Sequence, residues 1–342
     1  MEHRAKRKQS GKLIGKLLLS VALGTVLFAL CCTAEAQQTQ KIFRIGYLDL
    51  GTASGSAVLV DAFRQELSKL GWVEGENINF EYRFADQRNE RLSDLAAELV
   101  RLKVDLMVVS GTTAALPGKS ATTSIPILMA NAADPVGAGL VTSLAKPGGN
   151  VTGFSSLSPE LSTKRLEVLR DAVPKLTIVG LLRSLPRSTI PSAQTNEIRA
   201  AALSLKLKLE EIETPLDLKS LDNAFQTARQ KQVRGLITLA SRAVFAQRKR
   251  IVELANKYRL PAIYFQKEFV DEGGLMSYGA DYVDLYRRAA VYADKILKGA
   301  KPADLPVQQA TKFEFVINLK TANQIGIAIP PNVLARADRV IR

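Results

Sequence analysis

Beyond residue 36 this chain contains neither cysteine nor histidine: Cys31 and Cys32 are its two cysteines, and His3 is its one histidine. That shortage removes several chemistries together. No disulfide, thiol nucleophile or imidazole base is available, and zinc sites built from nitrogen and sulfur ligands are excluded. Ser-His-Asp catalysis is excluded as well. Aromatic residues are also few, at 6% with one tryptophan, Trp72. No apolar run reaches the roughly 20 residues that a spanning helix needs.

The first residues read as an export signal. Arg4, Lys6, Arg7 and Lys8 make a basic start, an uncharged apolar run extends from Leu17 to Leu30, and Ala34-Glu35-Ala36 offers a cleavage site after Ala36. Leu30 and Cys31 are not the small residues that lipid attachment at Cys31 or Cys32 wants, so a free periplasmic form is expected over an anchored one. The formal net charge is +14, and removing a leader surplus of four leaves about +10. A nucleic-acid partner would require a basic stripe with interleaved aromatics. Here Lys and Arg are spread over helix faces, as in RLSDLAAELVRLK (91–103), so the charge reads as solubility and no nucleic acid is expected.

What remains is one pattern written twice. KIFRIGYLDL (41–50) and KLTIVGLLRSL (175–185) read as buried strands, each followed by a helix and a second strand, NINFEYRF (77–84) and KLEEIET (208–214). Amphipathic helices follow, then DLMVVSG (105–111) and GLITLAS (235–241), then further helices and the proline-led strands IPILMA (125–130) and LPAIYFQ (260–266). Leu106 and Leu236 stand 130 residues apart in like places, and Gly46 and Gly180 stand 134 apart. Strands alternating with helices predict parallel sheets covered on both faces. The expected fold is α/β, with two doubly wound parallel-sheet lobes joined by three hinge crossings. The expected division is 1–36 signal peptide, 41–154 plus 281–307 first lobe, and 155–280 plus 309–342 second lobe. After IPILMA, a short apolar helix is expected to end at Pro147-Gly148-Gly149-Asn150, and Asp281 is expected to cap the helix running to Gly299. Crossings are expected at Phe154 and Ser155, at Tyr278 and Gly279, and at Gln309 to Thr311, with closure of the cleft about them.

Open α/β sheets bind ligands at the carboxyl ends of their strands, which selects the candidate residues. Ser54, Gly55 and Ser56 offer hydroxyls and amides, or merely cap a helix. Gly111, Thr112 and Thr113 offer a helix start suited to a carboxylate, or simple capping. Their run ends in Gly-Lys-Ser, but six residues separate Gly111 from Gly118 where a phosphate loop has four, and Pro117 removes a donor. GAGLVT (137–142) has Thr142 in place of the third glycine of a dinucleotide fingerprint. Asp134, beside Pro135, suits an ammonium group, or is an ordinary turn residue. Ser241 and Arg242 lie at the equivalent edge of the second unit, where Arg242 could grip a carboxylate bidentately or sit exposed. Tyr264 and Phe265, near a strand end, either face the cleft or pack in the core. No metal or cofactor is called for.

Three stretches, 71–115, 125–169 and 260–322, with the blocks DPVGAGLV…PGGNVTG and GGLMSYG, resemble the substrate-binding proteins of ABC transporters, in particular the family related to tryptophan- and tyrosine-binding transport proteins. The resemblance covers nearly all of the chain past its leader. It implies a type I periplasmic-binding-protein fold and a monomeric, non-enzymatic receptor. Such a receptor captures a small ligand, an amino acid or similar small carboxylate, and delivers it to a permease driven by a separate ATPase. A ligand sensor for a signalling partner, or an enzyme on the same scaffold, is the alternative. Relatives carry an aromatic-Asn-Pro turn where this chain has Leu182-Arg183-Ser184-Leu185-Pro186, and Tyr-Gly-Phe-Arg where it has Tyr264-Phe265-Gln266-Lys267. Both loops, Ser184 included, are expected at the cleft.

Overall fold

The computed structural model describes residues 41–184 and 193–342; the leader, its cleavage site, and Leu185 and Pro186 lie outside the described residues. The first unit runs β1 (Phe43–Asp49), α1 (Ala53–Lys69), β2 (Ile78–Phe84), α2 (Leu92–Arg101), β3 (Leu106–Ser110), α3 (Gly111–Ala121), β4 (Ile127–Ala132) and β5 (Val151–Ser155). The second begins with α4 (Ser158–Ala172) and β6 (Ile178–Ser184), then α5 (Ala193–Ser204), β7 (Lys208–Thr214), α6 (Leu218–Gln230) and β8 (Gly235–Thr238). It continues through α7 (Arg242–Ala246), α8 (Arg248–Lys257), β9 (Ala262–Tyr264), α9 (Glu268–Asp271) and β10 (Met276–Ala280). The chain then gives α10 (Tyr282–Leu297), β11 (Gln308–Gln309), β12 (Phe313–Asn318), α11 (Leu319–Ile325), α12 (Pro331–Leu334) and β13 (Arg339–Ile341).

The strands form two sheets, ordered β11-β5-β4-β3-β1-β2 and β13-β12-β10-β9-β8-β6-β7. Central strands such as β3, LMVVS, are buried at every residue, the pattern of a parallel strand covered on both faces. Helix α2 shows how one face is covered. Leu92, Leu95, Ala96 and Leu99 fall at i, i+3, i+4 and i+7 and join Leu48, Met107 and Val109 in one core. Each such leucine contributes about 1.5–3 kcal/mol. Helices α1 and α10 cover the opposite face against Ile45, Tyr47 and Val108. The second sheet is likewise packed between two apolar clusters.

Three passages join the sheets. β5 leads through Ser156 and Leu157 into α4; β10 leads through Asp281, whose carboxylate accepts the Asp284 amide at 3.0 Å, into α10 on the first sheet. β11 pairs with Phe154 and Ser155 before the chain returns as β12. The first sheet therefore takes Ser155 and Gln309, two residues that the sequence-based boundaries gave to the second lobe. β12 re-enters the second sheet through the edge by which β10 left it, so it lies antiparallel to β10, the one departure among the paired strands from all-parallel order. Among the described residues no helix is long and apolar enough to cross a membrane.

The segment after β4 is not the expected helix. One turn forms, with Ala138 N–H bonded to Asp134 C=O at 3.1 Å and Leu140 N–H to Pro135 C=O at 2.9 Å. Gly139 then takes φ +68° and ends it. Two glycines and a terminal Pro-Gly-Gly outweigh the apolar spacing.

Candidate functional site

Strand alternation places Tyr47 and Asp49 on one face of β1, at the end nearest the passages. Asp49 is 0% exposed, although it carries a carboxylate. Its Oδ1 accepts the Gly51 amide at 2.7 Å, and its Oδ2 accepts Ser56 Oγ at 2.7 Å and the Tyr47 phenol at 3.2 Å. From the other lobe, Arg242 Nε reaches Oδ1 at 3.1 Å and Nη2 reaches Oδ2 at 2.8 Å, a bidentate fork. Nη2 also donates to Ser56 Oγ at 2.7 Å, and the guanidinium lies 5.5 Å from the Phe245 ring centre. The Tyr47 and Tyr286 hydroxyls are 3.1 Å apart, and Tyr286 donates to Ser110 Oγ at 2.8 Å. Ser110 is the register partner of Asp49 across β1 and β3.

The electrostatics follow from this packing. Burial opposes the charge on Arg242, but the adjacent Asp49 carboxylate outweighs it, so its pKa stands above the ordinary arginine value. Burial, then Tyr286 and Asp49, hold the Tyr47 phenol well above its usual range. Burial and Asp49 push Tyr286 up to about 12. The cluster is thus a charged pair flanked by neutral phenols.

The sequence-selected residues divide around it. Ser56 and Arg242 meet in the cluster, where Arg242 already holds an internal carboxylate. Ser54 and Gly55 are exposed in the first turn of α1, and the Gly55 amide is taken by Thr52 Oγ1 at 3.1 Å. Gly111 to Thr113 form the first turn of α3, the helix start expected there. Gly111 N–H is spent on Asn131 Oδ1 at 2.9 Å, Thr112 Oγ1 accepts the Ala133 amide at 3.0 Å, and Thr113 is exposed. Asp134 Oδ1 accepts the Gly137 amide at 2.8 Å, which is the turn-residue reading, and Pro135 is buried beside it. Ser241 caps α7 by accepting the Val244 amide at 3.2 Å. Ser184 is half-buried at the end of β6. Tyr264 and Phe265 do not face a cleft: Tyr264 stacks on Phe269 at 4.6 Å and Phe265 meets the same ring edge-on at 5.2 Å, both in the core.

At the passages, Phe154 packs on Tyr292 at 4.9 Å beneath the Arg288 guanidinium. Ser155 Oγ accepts the Leu157 amide at 3.2 Å. Arg288 Nη1 donates to Gln309 C=O and Thr311 Oγ1, each at 3.2 Å. Tyr278 and Gly279 pair with Phe315 and Glu314 of β12. Residue-by-residue reading passed over Asp49, Tyr47, Tyr286 and Arg165. The signal for Asp49 was an acid closing the uncharged run Ile45 to Leu48. For Arg165 it was a charge on an apolar stripe.

Residues 54–341 match the family described as ABC transporter substrate binding protein. A tyrosine-binding protein of Clostridioides difficile is 29% identical over 269 residues, covering 78% of this chain and 75% of that protein. The structure of an ABC domain in complex with L-Trp from Streptococcus pneumonia is 28% identical, with a TM-score of 0.77 over 87% of this chain and 100% of that one. A ligand-free, open substrate-binding protein with adhesive properties from Clostridium difficile is 25% identical, with a TM-score of 0.64 over 88% of this chain and 99% of that one.

Proposed function

This chain belongs to the ABC transporter substrate-binding protein family, and from that premise we propose that it is a periplasmic receptor whose lobes close on an amino acid carrying an aromatic or other apolar side chain. The observation that carries the reading is the Asp49–Arg242 fork, which joins the carboxyl edges of both sheets in a buried polar cluster. The ligand enters the seam beside this cluster, bordered by Ser54 and Thr113 in the first turns of α1 and α3 and by Ser184 at the end of β6. The three passages act as hinges, and the closed form is what a membrane permease receives. Two relatives support the ligand class, one named for tyrosine and one solved with L-Trp. The higher TM-score to the L-Trp complex than to the open, ligand-free protein, at similar identity, supports a closed arrangement of lobes.

A thermal-shift screen of amino acids, sugars and purines tests the proposal. A ligand at 100 times its dissociation constant stabilises the fold by about 2.7 kcal/mol, so L-tryptophan or L-tyrosine should raise the melting temperature by several degrees. A rise with sugars or purines and none with any amino acid would overturn the ligand class.

A further inference from the structure

The seam between the lobes holds a second guanidinium, and this one has no carboxylate. Arg165 falls on the buried stripe of α4 formed by Leu161, Val168, Leu169 and Ala172 and is 1% exposed. Its Nη2 donates to Ser162 Oγ at 2.6 Å and to Ser158 C=O at 3.3 Å, and its Nη1 to Tyr278 C=O at 3.3 Å. Nε has no partner among the described residues, and no described carboxylate pairs with the group. Charge-assisted bonds ordinarily measure about 2.7–2.9 Å, so two of these three are weak. Burial lowers the pKa to about 10, which leaves the group cationic at neutral pH. A buried charge satisfied this poorly is costly unless something compensates it.

Its surroundings converge on the seam. Ser158 follows the first passage and Tyr278 precedes the second. Ser156, whose amide bonds Ala132 C=O at 2.8 Å on the first sheet, shares a 2.9 Å hydroxyl contact with Ser158. Burial holds the Tyr282 phenol above its usual range, opposed by the neighbouring Ser156, Arg165, Ser158 and Arg242, which places it beside the same cluster. The 15-residue α4 begins after Leu157 with no side-chain cap, so its positive end adds to the same field. Arg242 is spent on Asp49; Arg165 is not spent.

The geometry assigns the ligand's carboxylate to Arg165, assisted by Tyr282, Ser156 and Ser158, while Arg242 serves to join the lobes. This assignment rests on the amino-acid reading above, and the test separates the two. Calorimetry compares L-tryptophan with tryptamine, which lacks the carboxylate, on the full chain and on Arg165→Gln. Losing a charge-assisted contact should weaken L-tryptophan about 10- to 100-fold and leave tryptamine unchanged, with Arg165→Lys in between. Unaltered L-tryptophan binding, or an equal loss for both ligands as a purely structural clamp gives, overturns the assignment. If the unaltered protein binds no amino acid, the amino-acid reading fails by itself, and acetate decides the anion site. Sodium acetate should then raise the melting temperature of the parent above equal sodium chloride and do nothing for Arg165→Gln; equal responses overturn the site. Should Arg165→Gln fail to fold, Arg165→Met is measured in its place, because it keeps the stem and removes the uncompensated charge.

Discussion

Asp49 and Arg242 are 193 residues apart in the chain and meet at 2.8 Å. Such a contact decides between lobe arrangements, because it exists only while the lobes are together. Removing one member of a buried pair ordinarily costs about 3–5 kcal/mol. Here the protein has an escape, since opening the seam lets Arg242 rehydrate. Asp49→Asn should therefore show itself less as unfolding than as opening. Small-angle scattering of the ligand-free variant should give a larger radius of gyration than the parent, with only a modest fall in melting temperature. A profile identical to the parent would remove the pair from control of closure. The acid was visible in the sequence as the last residue of FRIGYLD, yet the carboxyl-edge rule directed attention to the loop beyond it. Rules based on loop chemistry overlook a charge that ends a strand, because only the opposite lobe explains its burial. Arg165 was legible by another route: at i+4 from Leu161 and three before Val168, it interrupts an apolar stripe.

Elements whose period and punctuation agreed were read correctly. NINFEYRF and KLEEIET became β2 and β7, and Asp281 caps α10 as expected. The stretch after Asp134 was misread because its apolar residues are spaced like a helix while its glycines are not compatible with one. Gly139 supplies a sharp test. In a helix, glycine to alanine gains up to about 1 kcal/mol. At φ +68°, where a side chain is strained, the same change costs about 1 kcal/mol or more. Urea unfolding of Gly139→Ala should therefore show a lower midpoint with an unchanged m-value. A higher midpoint would restore the helix. Asp134, offered by the sequence as an ammonium partner or a turn residue, takes the turn geometry in this structure. Its side chain closes the turn on the Gly137 amide, so its charge was available to local backbone before any ligand.

At the scale of the whole molecule, the doubling was legible because both lobes repeat one order of strands and helices, and the periods of 130 and 134 residues survive in the structure as β3 against β8 and β1 against β6. What the sequence withheld was how the two cores fix their tyrosines. Tyr47 and Tyr286 lie in the first lobe's core and Tyr264 in the second's, all at most 2% exposed. Burial comes first among the causes that raise the phenol pKa in each, to about 12 for Tyr286, and is the sole cause for Tyr264. These groups stay protonated in the fold but ionise near pH 10 when unfolded. Their contribution is complete below the unfolded value and is lost as pH rises through the folded values. Above about pH 10 the unfolded chain binds fewer protons, so stability falls with pH by about 1.4 kcal/mol per unit for each tyrosine, or about 4 for the three. Both lobes carry the liability, so alkali should unfold both. Chemical denaturation between pH 9 and 12 should show this steep decline. Tyr264→Phe isolates one third of it: the Tyr264 hydroxyl has no hydrogen-bond partner among the described residues, so its removal should leave stability at pH 8 unchanged or raise it by about 1 kcal/mol. The alkaline slope should become shallower by about 1.4 kcal/mol per pH unit. A slope equal to the parent's would mean that Tyr264 ionises inside the fold, and its packing on Phe269 would then have to open to water.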